Sequence, residues 1–326
     1  MKFLRLSIPL LLLSGYTFGQ ATHNNRADSL LSEASTFGKA GKYAEAISNY
    51  QQALTLEPNN EKALCQFGFL LHTAGKDAEA IPYLQKLTSG TSTYAVNGLN
   101  LLGSIYDNSK QTDKAIATYT AALKIDPKNR ELYYNVALAY YKELKFATAE
   151  DNLANALKID PSNALTHRMY ALSAFHQGKN AACILAFCNF LLLDPQSPQA
   201  LEAYTNIERI FAASAGIKAT KPGVYAYDKY IVQAEAASKK ATSDRTEAKF
   251  KTLFTLIGEA AQKQGSKDFF STFYADYFHK LAQSPNMPSF SHTISLSVAK
   301  EANSKWLTEH QQEVDSLKKW MEENGH

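Results

Sequence analysis

Apolar residues recur at helical spacing through residues 27–197, and the recurrence is itself periodic. Each period holds two apolar stripes. The first falls at unit positions 4, 7, 8 and 11: Leu64, Phe67, Gly68 and Leu71 in the second unit, and Leu99, Leu102, Gly103 and Tyr106 in the third. The second falls at positions 20, 24 and 27: Ala46, Tyr50 and Ala53; Ala115, Tyr119 and Ala122; Ala149, Leu153 and Ala156. Position 8 is always small (Ala34, Gly68, Gly103, Ala137, Ala171), which predicts a close crossing where the partner helix inserts a large side chain. Pro58, Pro127, Pro161 and Pro195 end the second stripe; the last three stand 34 apart and the first gap is 69. Proline stops a helix, so each marks the turn into the next unit. The second unit lacks it and has Thr88–Thr93 instead, which predicts an irregular turn, and Pro82 predicts a local kink.

Five helix–turn–helix units follow: 27–60, 61–94, 96–129, 130–163 and 164–197. The pattern resembles the tetratricopeptide repeat (TPR), a two-helix unit of the same length. The resemblance implies an all-α fold, a right-handed α-solenoid of five units whose ends need capping. The stripe Leu201, Tyr204, Ile207 and Phe211 predicts a capping helix over 198–214, and the Gly- and Pro-containing segment after it predicts a loop. A smaller helical region over 215–326 follows without the repeat register. There Phe250, Leu253, Phe254 and Ile257 share one face, as do Phe270, Phe273, Tyr274, Tyr277 and Leu281. Ser284–Pro288 is a break, and a last helix is expected from about Ser295 to Glu322, with Leu307, His310, Val314, Leu317 and Met321 on one stripe. The aromatics between Phe269 and Phe278 read as packing on the last repeats, with a partner-binding patch as the alternative.

Charge and composition narrow the class. The chain has 326 residues, a net charge of +3, 45% hydrophobic and 20% charged residues, a globular balance. Basic and acidic residues nearly cancel in both halves, so no basic field exists for nucleic acid. The first residues have a separate logic. A basic start (Lys2, Arg5), an apolar run from Leu6 to Leu13 and a polar exit over Ser14–Gln20 predict a signal peptide over 1–20, cleaved near Gly19 or Gln20. The apolar run is too short to remain as a membrane span. Export to a periplasmic or extracellular space is therefore expected. Cys65, Cys183 and Cys188 read as buried apolar residues.

Candidate chemistry is sparse. The eight histidines form no metal-binding pair, and no nucleophile elbow, phosphate loop or C-x-x-C occurs, so no enzyme activity, cofactor or metal is expected. The TPR resemblance implies a ligand groove at unit positions 2, 5, 9, 12 and 13 of each first helix. Those positions include Lys62, His72, Asn97, Asn100, Ser104, Asp107, Asn108, Tyr134, Tyr141, Lys142, Arg168, Phe175 and His176. The mix suits an extended peptide: Asn pairs with a backbone amide, aromatics supply apolar area, and Arg and Lys hold carboxylates. The carboxylate clamp of chaperone-binding relatives is not expected, because its positions hold Asn100, Ser104, Asn135, Leu165 and Met169, with one agreement. The expected function is a protein- or peptide-binding scaffold of the cell envelope, as a monomer. The alternatives are an enzyme with its site around His279 and His292, or a structural subunit of an envelope assembly, with dimerisation through the last helix.

Overall fold

The computed structural model describes residues 14–214, 225–242 and 244–325, with side chains from Arg26 onward. The expected leader falls largely outside them: residues 1–13 are not described, and residues 14–20 open the first helix. The loop expected after residue 214 also lies outside the described residues over 215–224. Among the described residues the chain is helical, without a strand. It divides into two compact units, Met1–Pro127 and Lys128–His326.

The first unit contains α1 (Ser14–Lys39), α2 (Tyr43–Leu56), α3 (Glu61–Thr73), α4 (Asp77–Gln85), α5 (Thr93–Asn108) and α6 (Thr112–Ile125). These pair as three hairpins, and the small position locks each pair. A methyl group on Gly103 would overlap the Tyr119 ring, with its nearest ring atom at 2.4 Å. A methyl on Gly68 would likewise meet Leu84 at 2.3 Å. Both contacts join position 8 to position 24 of the same unit, as the spacing predicts.

The proline-less turn has a physical substitute. Lys86–Ser89 forms a 3-10 turn, and Ser92 caps α5. The Glu61 carboxylate ties this segment down. It accepts from the Thr91 N–H at 3.1 Å, the Ser92 N–H at 3.0 Å and the Ser92 hydroxyl. Pro82 lies within α4, a helix of only 9 residues.

The second unit contains α7 (Arg130–Lys142), α8 (Phe146–Ile159), α9 (Ala164–His176), α10 (Asn180–Leu193), α11 (Ala200–Ser214), α12 (Lys229–Lys240) and α13 (Arg245–Gln264). A π-helix, Phe270–Ala275, then runs into α14 (Asp276–Gln283), followed by α15 (Met287–Ile294), α16 (Lys300–Glu309) and α17 (Gln311–Asn324). Repeats four and five share one hydrophobic core with the later helices. Helix α10 is its axis: every residue from Ala181 to Leu192 is buried. The Cys183 and Cys188 thiols lie inside it, and burial pushes both well above the ordinary thiol range.

Asparagine caps the repeats' first helices. Asn60, Asn129 and Asn163 accept from the N–H of Ala63, Leu132 and Thr166 at 2.9, 3.2 and 3.0 Å. Each stands two residues after a turn proline. Proline ends one helix and asparagine starts the next, so the turn is written in both residues.

Four sequence expectations change in detail. Leu201 is not part of the packed stripe of α11; it is 54% exposed, and Ala203, Ile210 and Ser214 are buried there instead. Helix α11 does not end the stack either, because Phe211 packs on Phe250 of α13 at 5.7 Å. The last helix breaks at His310, whose non-helical backbone separates α16 from α17. Its ring stacks on Trp306 at 4.1 Å, and Leu317 alone of the expected stripe is fully buried. The Phe270–Leu281 stripe begins as a π-helix rather than an α-helix, and its Phe273 and Tyr274 pack on His167 and Tyr170 of repeat five. Tyr274 bonds His167 Nδ1 at 2.7 Å and packs on Tyr170 at 5.2 Å, so the aromatic cluster packs on the repeats rather than forming a free patch.

A candidate ligand face on the first helices of the repeats

In the first unit, α1, α3 and α5 carry the candidate groove positions. Lys62 and Asn97 are exposed, and Asn100 and Asp107 are half-buried. Two residues are engaged within their own hairpins. His72 Nδ1 lies 2.6 Å from Asp77 Oδ1, and Ser104 accepts from the Tyr119 hydroxyl at 3.3 Å. The open feature lies between the first two repeats. A cleft of about 340 Å³ is lined by Lys39, Tyr43, Tyr50, Gln66, Phe69 and Thr73, among others. Phe69 is 44% and Tyr43 37% exposed, unusual for side chains of this size. Gln66 Oε1 is buried there and accepts no hydrogen bond. Burial raises the Tyr50 hydroxyl above its ordinary pKa, so it remains a neutral donor.

The sequence reading missed Phe69, Gln66 and Tyr43. Phe69 occupies position 9 of its unit, so the positional rule contains it. Gln66 and Tyr43 stand outside that rule, at the flank of the packing stripe and at the first residue of α2.

In the second unit, α7, α9 and α11 carry the face. Tyr134 and Tyr141 are half-buried, and burial raises both hydroxyls against the opposing pull of Arg168. Arg168 Nη2 donates to Glu202 Oε2 at 2.8 Å, while its Nε is buried and donates to nothing. His176 Nε2 lies 2.9 Å from the Tyr141 hydroxyl, and its ring stacks on Phe146 at 4.4 Å. Lys142 is exposed beside them. Around this polar cluster Leu165, Phe175 and Leu201 are 52%, 45% and 54% exposed. The structure thus brings Tyr134, Tyr141, Arg168 and His176 onto one face and places the candidates of repeats two and three in the other unit.

The C-terminal histidines are packed. His279 is 6% exposed, with Nε2 at 2.8 Å from Gln283 and its ring against Gly258. His292 Nδ1 is 2.7 Å from Asn303 Oδ1, its Nε2 is 4.0 Å from Asp244, and its ring lies on Trp306 at 4.1 Å. No group of three metal-ligating side chains exists among the described residues.

Comparison with known proteins places these hairpins. A TPR repeat model matches residues 36–75 and 103–143, and a tetratricopeptide repeat model matches 134–200. The chain carries tetratricopeptide repeats. It is similar to the BBSome complex member BBS4 homolog of Drosophila melanogaster, 25% identical over 39% of this chain and 26% of that protein. It is also similar to the Hsp70-Hsp90 organizing protein 3 of Arabidopsis thaliana, 32% identical over 29% of this chain and 17% of that protein. The chain therefore spans about a quarter or less of the length of the curated relatives it matches. A crystal structure of MamA covers 53% of this chain and 94% of its own, at 19% identity and a TM-score of 0.48. The tetratricopeptide matches reach residue 200 and include the residues of both faces except Asn97, Asn100, Leu201 and Glu202.

Proposed function

We propose that this chain is a non-enzymatic scaffold that binds a protein or an extended peptide through its first-helix faces, in the cell envelope. The cleft between the first two repeats carries the reading: exposed Phe69 and Tyr43 flank a buried acceptor, Gln66 Oε1. A peptide satisfies both features at once. An apolar side chain covers the rings, and its backbone N–H donates to Gln66. A buried acceptor left without a donor costs about 1–3 kcal/mol, so the pairing strengthens binding beyond area alone. In the second unit Arg168 Nε offers the complementary polarity, a buried donor beside exposed Leu165 and Phe175. The Hsp70-Hsp90 organizing protein bears a name that describes an assembly role, which agrees with this class.

Phe69→Ala combined with Phe175→Ala tests the reading. Both side chains are nearly half exposed, so the melting temperature stays within about 4 °C of the parent. Capture of envelope proteins on the immobilised chain, read by mass spectrometry, falls at least about tenfold, since aromatic anchors carry much of such affinity. Undiminished capture by the double variant sinks the proposal.

A further inference from the structure

Helix α10 is apolar and buried from Ala181 to Leu192 with one polar interruption, Asn189. Asn189 is 5% exposed. Its carboxamide makes no hydrogen bond among the described residues. A core helix ordinarily avoids such a residue unless its amide faces a space that a water or a ligand can enter. Asn189 lines a cavity of about 440 Å³, with Pro161, Leu192, Leu193, Tyr277 and Met321 as its apolar walls. The volume falls in the range of about 300–1,000 Å³ typical of small-molecule sites, and such sites are apolar with a few placed polar groups. None of these lining residues lies on α7, α9 or α11, so the cavity is separate from the ligand face.

We infer that this cavity binds a small neutral amphiphile, an aliphatic body with a single carboxamide head seated on Asn189. The walls select an apolar body. The floor selects the head: an asparagine amide presents one acceptor and a two-proton donor, and a second carboxamide answers both. Charge is selected against. The floor holds no ionised partner, and an unpaired ion there is far costlier than a neutral amide. At the mouth Lys318 is 65% exposed and lies 3.6 Å from Asp315, and Glu322 stands exposed nearby. The opening thus presents both signs and favours neither.

Octanamide is the probe, titrated into the full chain and followed by the methyl resonance of Met321, which lies in the wall. A saturable shift is expected, with octanamide bound at least about tenfold tighter than octanoate or octylammonium. Asn189→Leu keeps the core apolar and weakens octanamide at least about tenfold, the loss of a paired hydrogen bond. Ser162→Trp, at the exposed rim, blocks entry without touching the core and keeps the test valid if Asn189→Leu misfolds. Absence of a saturable Met321 shift overturns the inference. So does octanoate binding as well as octanamide, or octanamide binding unchanged in both variants.

Discussion

Position 15 of each repeat, between the two helices, requires the left-handed backbone. Gly41, Gly75 and Gly178 supply it at φ near +70°, where a side chain carries a steric penalty. The other two repeats place Lys110 at φ 59° and Leu144 at φ 56°. Leu144 is also 73% exposed, so it returns little burial for its strain. Leu144→Gly is therefore expected to raise the unfolding free energy by about 1 kcal/mol, the strain relieved less the added freedom of the unfolded chain. Urea denaturation of the pair of proteins measures it; a destabilised variant would show that the leucine side chain contributes contacts its exposure does not suggest. The small residues at position 8 were legible from recurrence alone. Position 15 was not, because lysine, leucine and glycine share no chemical property there, only a backbone conformation.

At the scale of the element, Asp228 holds the start of α10 from outside the helix. Its carboxylate accepts from the Ala181 N–H at 2.8 Å and from the Asn180 side chain at 2.9 Å, capping a helix that has no side-chain cap of its own. Burial raises the Asp228 pKa to about 6, even though these hydrogen bonds pull it down. The sign follows from linkage. The folded state binds this proton more tightly than the unfolded chain, whose aspartate titrates near about 3.9. The stabilising contribution is therefore complete below pH of about 4 and is lost as pH rises through about 6, by up to about 2–3 kcal/mol. Glu61 behaves oppositely. The Ser92 hydroxyl holds its pKa below the usual carboxylate range, so its contribution is present at neutral pH and lost in acid. Denaturant unfolding of the parent and of Asp228→Asn at pH 3, 5 and 7.5 separates the two: the substitution removes the gain between pH 7.5 and 5 and leaves the Glu61 loss below pH of about 4. An unaltered pH profile would mean that Asp228 titrates as an ordinary exposed carboxylate. The last helix teaches a related lesson. Its apolar stripe runs through His310, where the backbone leaves the helix and the ring stacks on Trp306, and a stripe alone does not report a break.

At the scale of the whole molecule, the proposed envelope location has its own test. Expressed with its first residues in a secreting bacterial host, the chain is expected to reach the periplasm with a new N-terminus near Ala21; recovery in the cytoplasm with Met1 intact would place it elsewhere. The repeat number, the hairpin order and the close crossings were determined by the sequence, because they follow from local spacing: a helix needs its stripe, a crossing needs a small residue, and a turn needs proline and asparagine. The candidate groove positions were assigned from the tetratricopeptide resemblance, since they lie at fixed offsets from the packing stripe. What each of those side chains does was not. Arg168 is tied to Glu202 from a later helix, His176 lies against Phe146 of the neighbouring helix, and Gln66 faces a cleft between two repeats. Nor did the pattern of residues 215–326 reveal that repeats four and five share a single core with the C-terminal helices, or that Asn189 opens onto a cavity within it. Those outcomes depend on contacts between residues tens of positions apart, and only the tertiary structure decides which distant side chains meet.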